Sequence, residues 1–273
     1  MISHLLPYKN SVISFQTAGV GRQLLFCFHG FAEDAGSFHL FEKLLDDKFT
    51  LIALDFPFHG KTVWKEELLF SPADLLEIMS AIIAHLSGDN VETTRYSILG
   101  YSLGGRVAFQ LLQLAPEKID RIVLAAPDGL IMNFWYWLGT QTSVGNRLFK
   151  FTMHNPAWFF ALVKAGHRTG LVNKSVFKFV CHYINDETAR LDLYQRWTTM
   201  RRFKPDFKQI LPLLNNYPVK LTLFFGTYDR IILKKQSDFL TAACPLVNVK
   251  TLNAGHQLLR GKYVPEIAAA FSE

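Results

Sequence analysis

Short apolar runs recur along this chain with helix-like segments between them, and that alternation limits the possible folds more than any other feature. Ser11–Thr17 alternates apolar and polar residues, as a half-covered strand does. Leu24–Phe28, Phe49–Leu54, Ser97–Leu99, Ile122–Ala126 and Leu221–Phe225 are continuous apolar runs, the pattern of strands buried on both faces. Helices are predicted over Gly36–Asp46, Pro72–Leu86, Leu103–Leu114 and Gln236–Ala243. Leu75, Leu76, Met79, Ile82, Ile83 and Leu86 recur at helical spacing, and Ser71-Pro72 supplies a helix start. Strands alternating with helices in this way imply an α/β fold, a largely parallel sheet with helices on both faces. A chain of 273 residues, 49% of them hydrophobic, suits one such core with an insertion and argues against disorder.

The rhythm stops between about Leu130 and Pro212 and returns at Val219–Phe225. We read the interval as several helices inserted between two strands, sitting on the core as a lid. The expected division is a core over 1–129, a helical cap over 130–212 and the rest of the core over 213–273. Basicity concentrates there: Ile131–Tyr217 holds 12 Lys/Arg against 4 Asp/Glu, whereas the whole chain carries only +6. A solvated basic face explains this most simply; attraction of an anionic substrate or an acidic surface is the sharper reading. Nucleic acid is not expected as a partner, because no binding motif appears. No apolar stretch is long enough to span a bilayer, and Met1–Asn10 does not resemble a secretory signal. Cys27, Cys181 and Cys244 are odd in number, far apart and without metal spacing, which suggests buried, reduced thiols in the cytoplasm.

The strongest chemical signal is Leu99-Gly100-Tyr101-Ser102-Leu103-Gly104-Gly105, a strand, then G-x-S-x-G, then a helix. A sharp turn of this kind exposes a serine hydroxyl at a helix N-terminus, where unpaired N–H groups favour negative charge. Gly100 and Gly104 leave room for the turn. A capping serine in an ordinary Gly-rich connection is the plainer alternative.

A serine needs a base, and the base an orienting acid. Of nine histidines, His256 alone follows the last expected strand, Val247–Leu252. His85, His182 and His39 fall in helical surroundings. Asp229 follows Leu221–Tyr228, a strand ending in a glycine turn, and is preferred as the acid; Asp128, in Ala125-Ala126-Pro127-Asp128-Gly129, is the rival. The order Ser102, Asp229, His256 is the one this architecture uses. Two backbone N–H groups would hold an oxyanion: that of Leu103, next to the serine, and that of Phe31, on the loop His29-Gly30-Phe31. A packed aromatic also accounts for Phe31.

Taken together, these pieces resemble the α/β-hydrolase superfamily: Phe28-His29-Gly30-Phe31, Asp55-Phe56-Pro57-Phe58-His59-Gly60, Gly100–Gly105, Gly226-Thr227-Tyr228-Asp229 and Gly255-His256, in the family's order. The resemblance implies an eight-stranded sheet, a helical cap between strands six and seven, and no metal or organic cofactor. The second motif departs from the family pattern at Phe58, where a small residue is usual, and at Thr62, where serine is. Arg106 in Ser102-Leu103-Gly104-Gly105-Arg106 is similar to the menaquinone-pathway lyase branch, where the arginine helps to hold an acidic substrate; pairing with a carboxylate is the simpler expectation.

The expected function is a serine hydrolase acting on an ester-like bond of a small, mostly apolar substrate. Trp135, Trp137, Trp158 and Phe159 would line an apolar pocket or form the packed interior of the lid. The alternatives are a lyase or C–C bond hydrolase using the same residues on an acidic substrate, and a ligand-binding protein that keeps the fold without turnover.

Overall fold

A computed structural model describes residues 1–87, 95–172, 177–178, 180–181 and 185–272; His182 lies outside them. The continuous apolar runs form the middle of an eight-stranded sheet. Its strands are β1 (Ile2–Tyr8), β2 (Ser11–Ala18), β3 (Gln23–Phe28), β4 (Phe49–Leu54), β5 (Tyr96–Tyr101), β6 (Ile119–Ala125), β7 (Lys220–Gly226) and β8 (Asn248–Leu252), in the spatial order β1-β2-β4-β3-β5-β6-β7-β8. Pairings involving β2 are antiparallel and all others parallel. Every residue of β5 is buried, as expected of a strand covered on both faces.

Helices α1 (Glu42–Leu45), α2 (Pro72–Ser87) and α3 (Leu103–Leu114) connect the first six strands. The segment expected as one helix over Gly36–Asp46 is instead a 3₁₀ helix, Ala35–Phe41, followed by α1. Ala35, Phe38 and Phe41 explain the difference: they are fully buried and recur every third residue, which matches three residues per turn better than 3.6. Likewise Gln236–Ala243 is a 3₁₀ turn, Lys234–Ser237, running into a short α-helix at Asp238. No strand was expected at β1. It is an edge strand, mostly exposed and interrupted by Pro7, so its apolar signal is weak.

The chain forms two compact units. One comprises Met1–Glu66, Phe70–Ile131 and Arg202–Glu273 and contains the whole sheet; the other comprises Glu67–Leu69 and Met132–Arg201. The second unit contains α4 (Phe134–Gln141), α5 (Ser143–His154), α6 (Ala157–Arg168) and α7 (Glu187–Thr199). Its interior is aromatic: Phe149 packs on Tyr194 and Trp197, and Tyr136 on Trp197, with ring centroids 5.3–5.7 Å apart. Trp135, Trp137 and Trp158 are not part of that interior. They are exposed, Trp135 by 70%, and Phe159 is half-buried.

Cys27 and Cys244 are buried and Cys181 only partly so; all three are free thiols. Among the described residues no helix is long and apolar enough to cross a membrane.

Candidate active site

Three strand ends at the carboxyl edge of the sheet carry the site. β5 leads into Ser102, β7 into Asp229, and β8 into His256. Ser102 has φ 48° and ψ −109°, a backbone conformation costly for a residue with a side chain. Three backbone hydrogen bonds hold it: its N–H donates to Ala125 (3.0 Å), and its carbonyl accepts from Gly105 (2.9 Å) and Asp128 (2.8 Å). A Cβ at Gly104 would collide with the Phe28 carbonyl of β3, and one at Gly100 would stand 2.8 Å from the Gly104 carbonyl. The turn therefore admits only glycine on either side of the serine.

The side chains meet in a line. His256 Nε2 is 3.1 Å from Ser102 Oγ, and His256 Nδ1 is 2.8 Å from Asp229 Oδ2. The other Asp229 oxygen accepts the N–H groups of Ile231 (2.7 Å) and Ile232 (3.1 Å). Burial opposes ionisation of Asp229, but the hydrogen bonds from His256 and the two amides outweigh it and hold the carboxyl below its ordinary value. An ionised carboxylate only accepts, so Nδ1 carries the imidazole proton and Nε2 offers its lone pair to the serine hydroxyl.

The rival acid has another partner. Asp128 Oδ2 lies 2.5 Å from Arg106 Nη2, and Oδ1 accepts the Gly129 N–H at 2.7 Å. Arg106 is buried in this pair. Asp128 thus stands at the end of β6, beside the site, with its charge committed to the arginine.

On the neighbouring loop, His29 Nε2 accepts the Phe56 N–H at 3.1 Å, so Nδ1 must be the protonated nitrogen that donates to the Gly30 carbonyl at 2.8 Å. The Gly30–Phe31 peptide is trans, so the Phe31 N–H points away from that anchored carbonyl. Asp55 fastens the same loop from behind: it accepts the N–H of Ala35 (2.7 Å) through one oxygen and that of Lys61 (2.9 Å) through the other. Thr62 ties the second motif to β2: its hydroxyl donates to the Asp55 carbonyl (2.8 Å) and accepts the Ser14 N–H (2.9 Å). Phe58 has φ 62°, which explains why a small residue is usual there. Leu103 heads α3, so its N–H has no carbonyl one turn back.

Two neighbours of the relay were not anticipated. The Tyr101 ring lies tilted beside that of His256, with ring centroids 5.6 Å apart, and its hydroxyl donates to the His256 carbonyl at 3.2 Å. Burial raises the Tyr101 pKa, keeping the phenol a donor. Glu33 accepts the Gly30 N–H at 3.4 Å; burial pushes its carboxyl up, while hydrogen bonds from Gly30 and Ser37, and the charge of His256 when that ring is protonated, pull the other way. Among the described residues no cluster of His, Cys, Asp and Glu is placed to hold a metal ion.

The alpha/beta hydrolase fold family matches residues 23–259, and the chain belongs to it. Over 111 residues it is 31% identical to the uncharacterized hydrolase YugF of Bacillus subtilis, covering 41% of this chain and 39% of that protein. Over 115 residues it is 36% identical to the pimeloyl-[acyl-carrier protein] methyl ester esterase of Nitrosomonas europaea, covering 42% and 40%. These matches span about two fifths of the length of either relative. A thermophilic esterase from Thermogutta terrifontis shares the fold over 100% of this chain and 97% of its own, with a TM-score of 0.67 and 15% identity.

Proposed function

We propose that this chain is a serine hydrolase that cleaves an ester-like bond of a small, mostly apolar substrate through an acyl-enzyme. The observation that carries the reading is the unbroken hydrogen-bonded line from Ser102 Oγ through His256 to Asp229. Ser102 Oγ attacks the carbonyl carbon as His256 Nε2 takes its proton, and Asp229 stabilises the imidazolium that forms. The carbonyl oxygen becomes an oxyanion, held by the N–H groups of Leu103 and Phe31, each worth about 3 kcal/mol in the transition state. Collapse of the adduct expels the alcohol, which leaves with the proton from His256. Water then attacks the acyl-serine by the same steps and releases the acid.

A family relative named as an ester esterase supports this class of bond. The acidic-substrate alternative rests on Arg106 and on the basic segment; the Arg106 guanidinium is engaged by Asp128, which removes the first of these supports and favours the hydrolase reading. We read Met132–Arg201 as a cap, since it lies between β6 and β7 in the chain. The free cysteines fit a cytoplasmic setting.

Stopped-flow hydrolysis of p-nitrophenyl acetate tests the proposal. A burst of one p-nitrophenol per chain is expected, absent from Ser102→Ala, whose thermal unfolding stays that of the parent. Turnover of an acidic diketone with no ester hydrolysis would reject it.

A further inference from the structure

Helix α5 is apolar on two sides. Its packed face carries the buried Gly145, Thr152 and Met153, along with Phe149. Its open face carries Val144, Leu148 and Phe151, which are 77%, 50% and 55% exposed. Their i, i+4, i+7 spacing makes one stripe along the helix, flanked by the exposed Arg147, Lys150 and His154. α6 repeats the arrangement, with Trp158 and Leu162 exposed beside Lys164 and Arg168. α4 contains no charged residue and exposes Phe134, Trp135 and Trp137.

A helix facing water ordinarily turns polar or small residues outward. α2, in the other unit, does so with Glu77, Ser80 and Ala84. Single exposed apolar side chains are common, but α4 and α5, which pack against each other, each expose several, and such a concentration marks a surface with a partner. The charge pattern selects the partner. Between Asp128 and Asp186 the sequence has six Lys/Arg and no Asp or Glu. Lysine is depleted at protein–protein interfaces, whereas Trp, Phe and Leu beside Lys and Arg characterise helices that lie in a membrane interface.

We propose that α4 and α5 carry a docking surface for an anionic lipid bilayer. Val144, Leu148 and Phe151 enter the boundary between headgroups and acyl chains, while Arg147 and Lys150 reach back to the lipid phosphates. Attachment is peripheral and reversible. Docking would bring the chain to amphiphilic esters held in the bilayer surface; that consequence rests on the hydrolase reading, whereas docking itself does not.

The test is co-sedimentation of the full chain with vesicles of phosphatidylcholine alone or with about one third phosphatidylglycerol, followed also by tryptophan emission. Binding to the anionic vesicles with a blue shift is expected, and it should weaken as salt is raised. Leu148→Glu/Phe151→Glu and, independently, Arg147→Glu/Lys150→Glu should each bind about tenfold more weakly or worse, with the circular dichroism of the parent. Absence of binding to both vesicle types would overturn the proposal, as would binding that both double variants leave unchanged. A concentration-dependent dimer that does not bind vesicles and is abolished by Leu148→Glu/Phe151→Glu would assign the surface to a second copy instead. Ester hydrolysis measured on the same samples reads the active site separately, because none of these residues belongs to it.

Discussion

Two neighbouring turns, at the carboxyl ends of β6 and β7, are built alike and differ in one partner. Each follows an apolar strand, each presents an aspartate, and in each one carboxylate oxygen accepts from the backbone, from one N–H at Asp128 and from two at Asp229. The other Asp128 oxygen meets Arg106, and the other Asp229 oxygen meets His256. An arginine stays charged at any pH a folded protein sees, so its pair with Asp128 is a fixed clamp between β6 and α3. A histidine has a second ring nitrogen that can accept a proton, so in the proposed mechanism the same contact at Asp229 orients a base. Strand-end position delivers the carboxylate; the residue opposite decides whether it braces the fold or, in the proposed mechanism, serves a proton relay.

The largest expected effect separates the two. Asp229→Asn should lower ester turnover by about ten-thousand-fold, because the imidazole loses its tautomer and its counter-charge. Asp128→Asn should leave turnover within about tenfold and instead cost roughly 2 kcal/mol of stability, measured by urea unfolding. That figure is set below the range for a fully buried pair because the Asp128 side chain is 25% exposed. If Asp128→Asn silences a folded protein while Asp229→Asn does not, the two roles are reversed.

Acid sharpens the contrast further. The Asp229 carboxyl is held below its ordinary value of 3.8, so its ionised form contributes stability that is fully present above that pH and lost as pH falls through the depressed value. Asp229→Asn should therefore show a shallower loss of stability in this acid range than the parent. Glu33 carries the opposite sign. Its carboxyl is raised above 4.5, so the folded state binds a proton there more readily than the unfolded chain. Its effect on stability is a loss as pH rises from 4.5 through the raised value, and over that rise Glu33→Gln should gain stability relative to the parent. A Glu33→Gln difference that does not vary with pH would show that the carboxyl is not shifted.

How much of this was readable in the sequence follows from where each contact arises. Helix Leu103–Leu114 was read with its observed ends, because the glycine turn and the run of buried residues are local signals. Ser102, Asp229 and His256 were each read from a place after a strand, and the fold brings the three side chains into one hydrogen-bonded line. The partners of Arg106 and Asp128 depend on two turns brought together by the sheet, so the sequence left them as alternatives. Tyr101 and Glu33 were missed: Tyr101 meets His256 across 155 residues, and Glu33 sits in a turn whose burial no local pattern reports. The exposed stripe of α5 was hidden for a related reason. Apolar residues on both faces read as core until the fold shows which face is covered.

The most direct test of the central claim is the intact mass of the folded chain after exposure to a fluorophosphonate. One adduct per chain, mapped by peptide mass to Ser102, absent from Ser102→Ala and much slower to form in His256→Ala, is the result expected of a serine activated by this relay. A folded protein that takes no label, or one that labels equally well without the Ser102 hydroxyl, would contradict it.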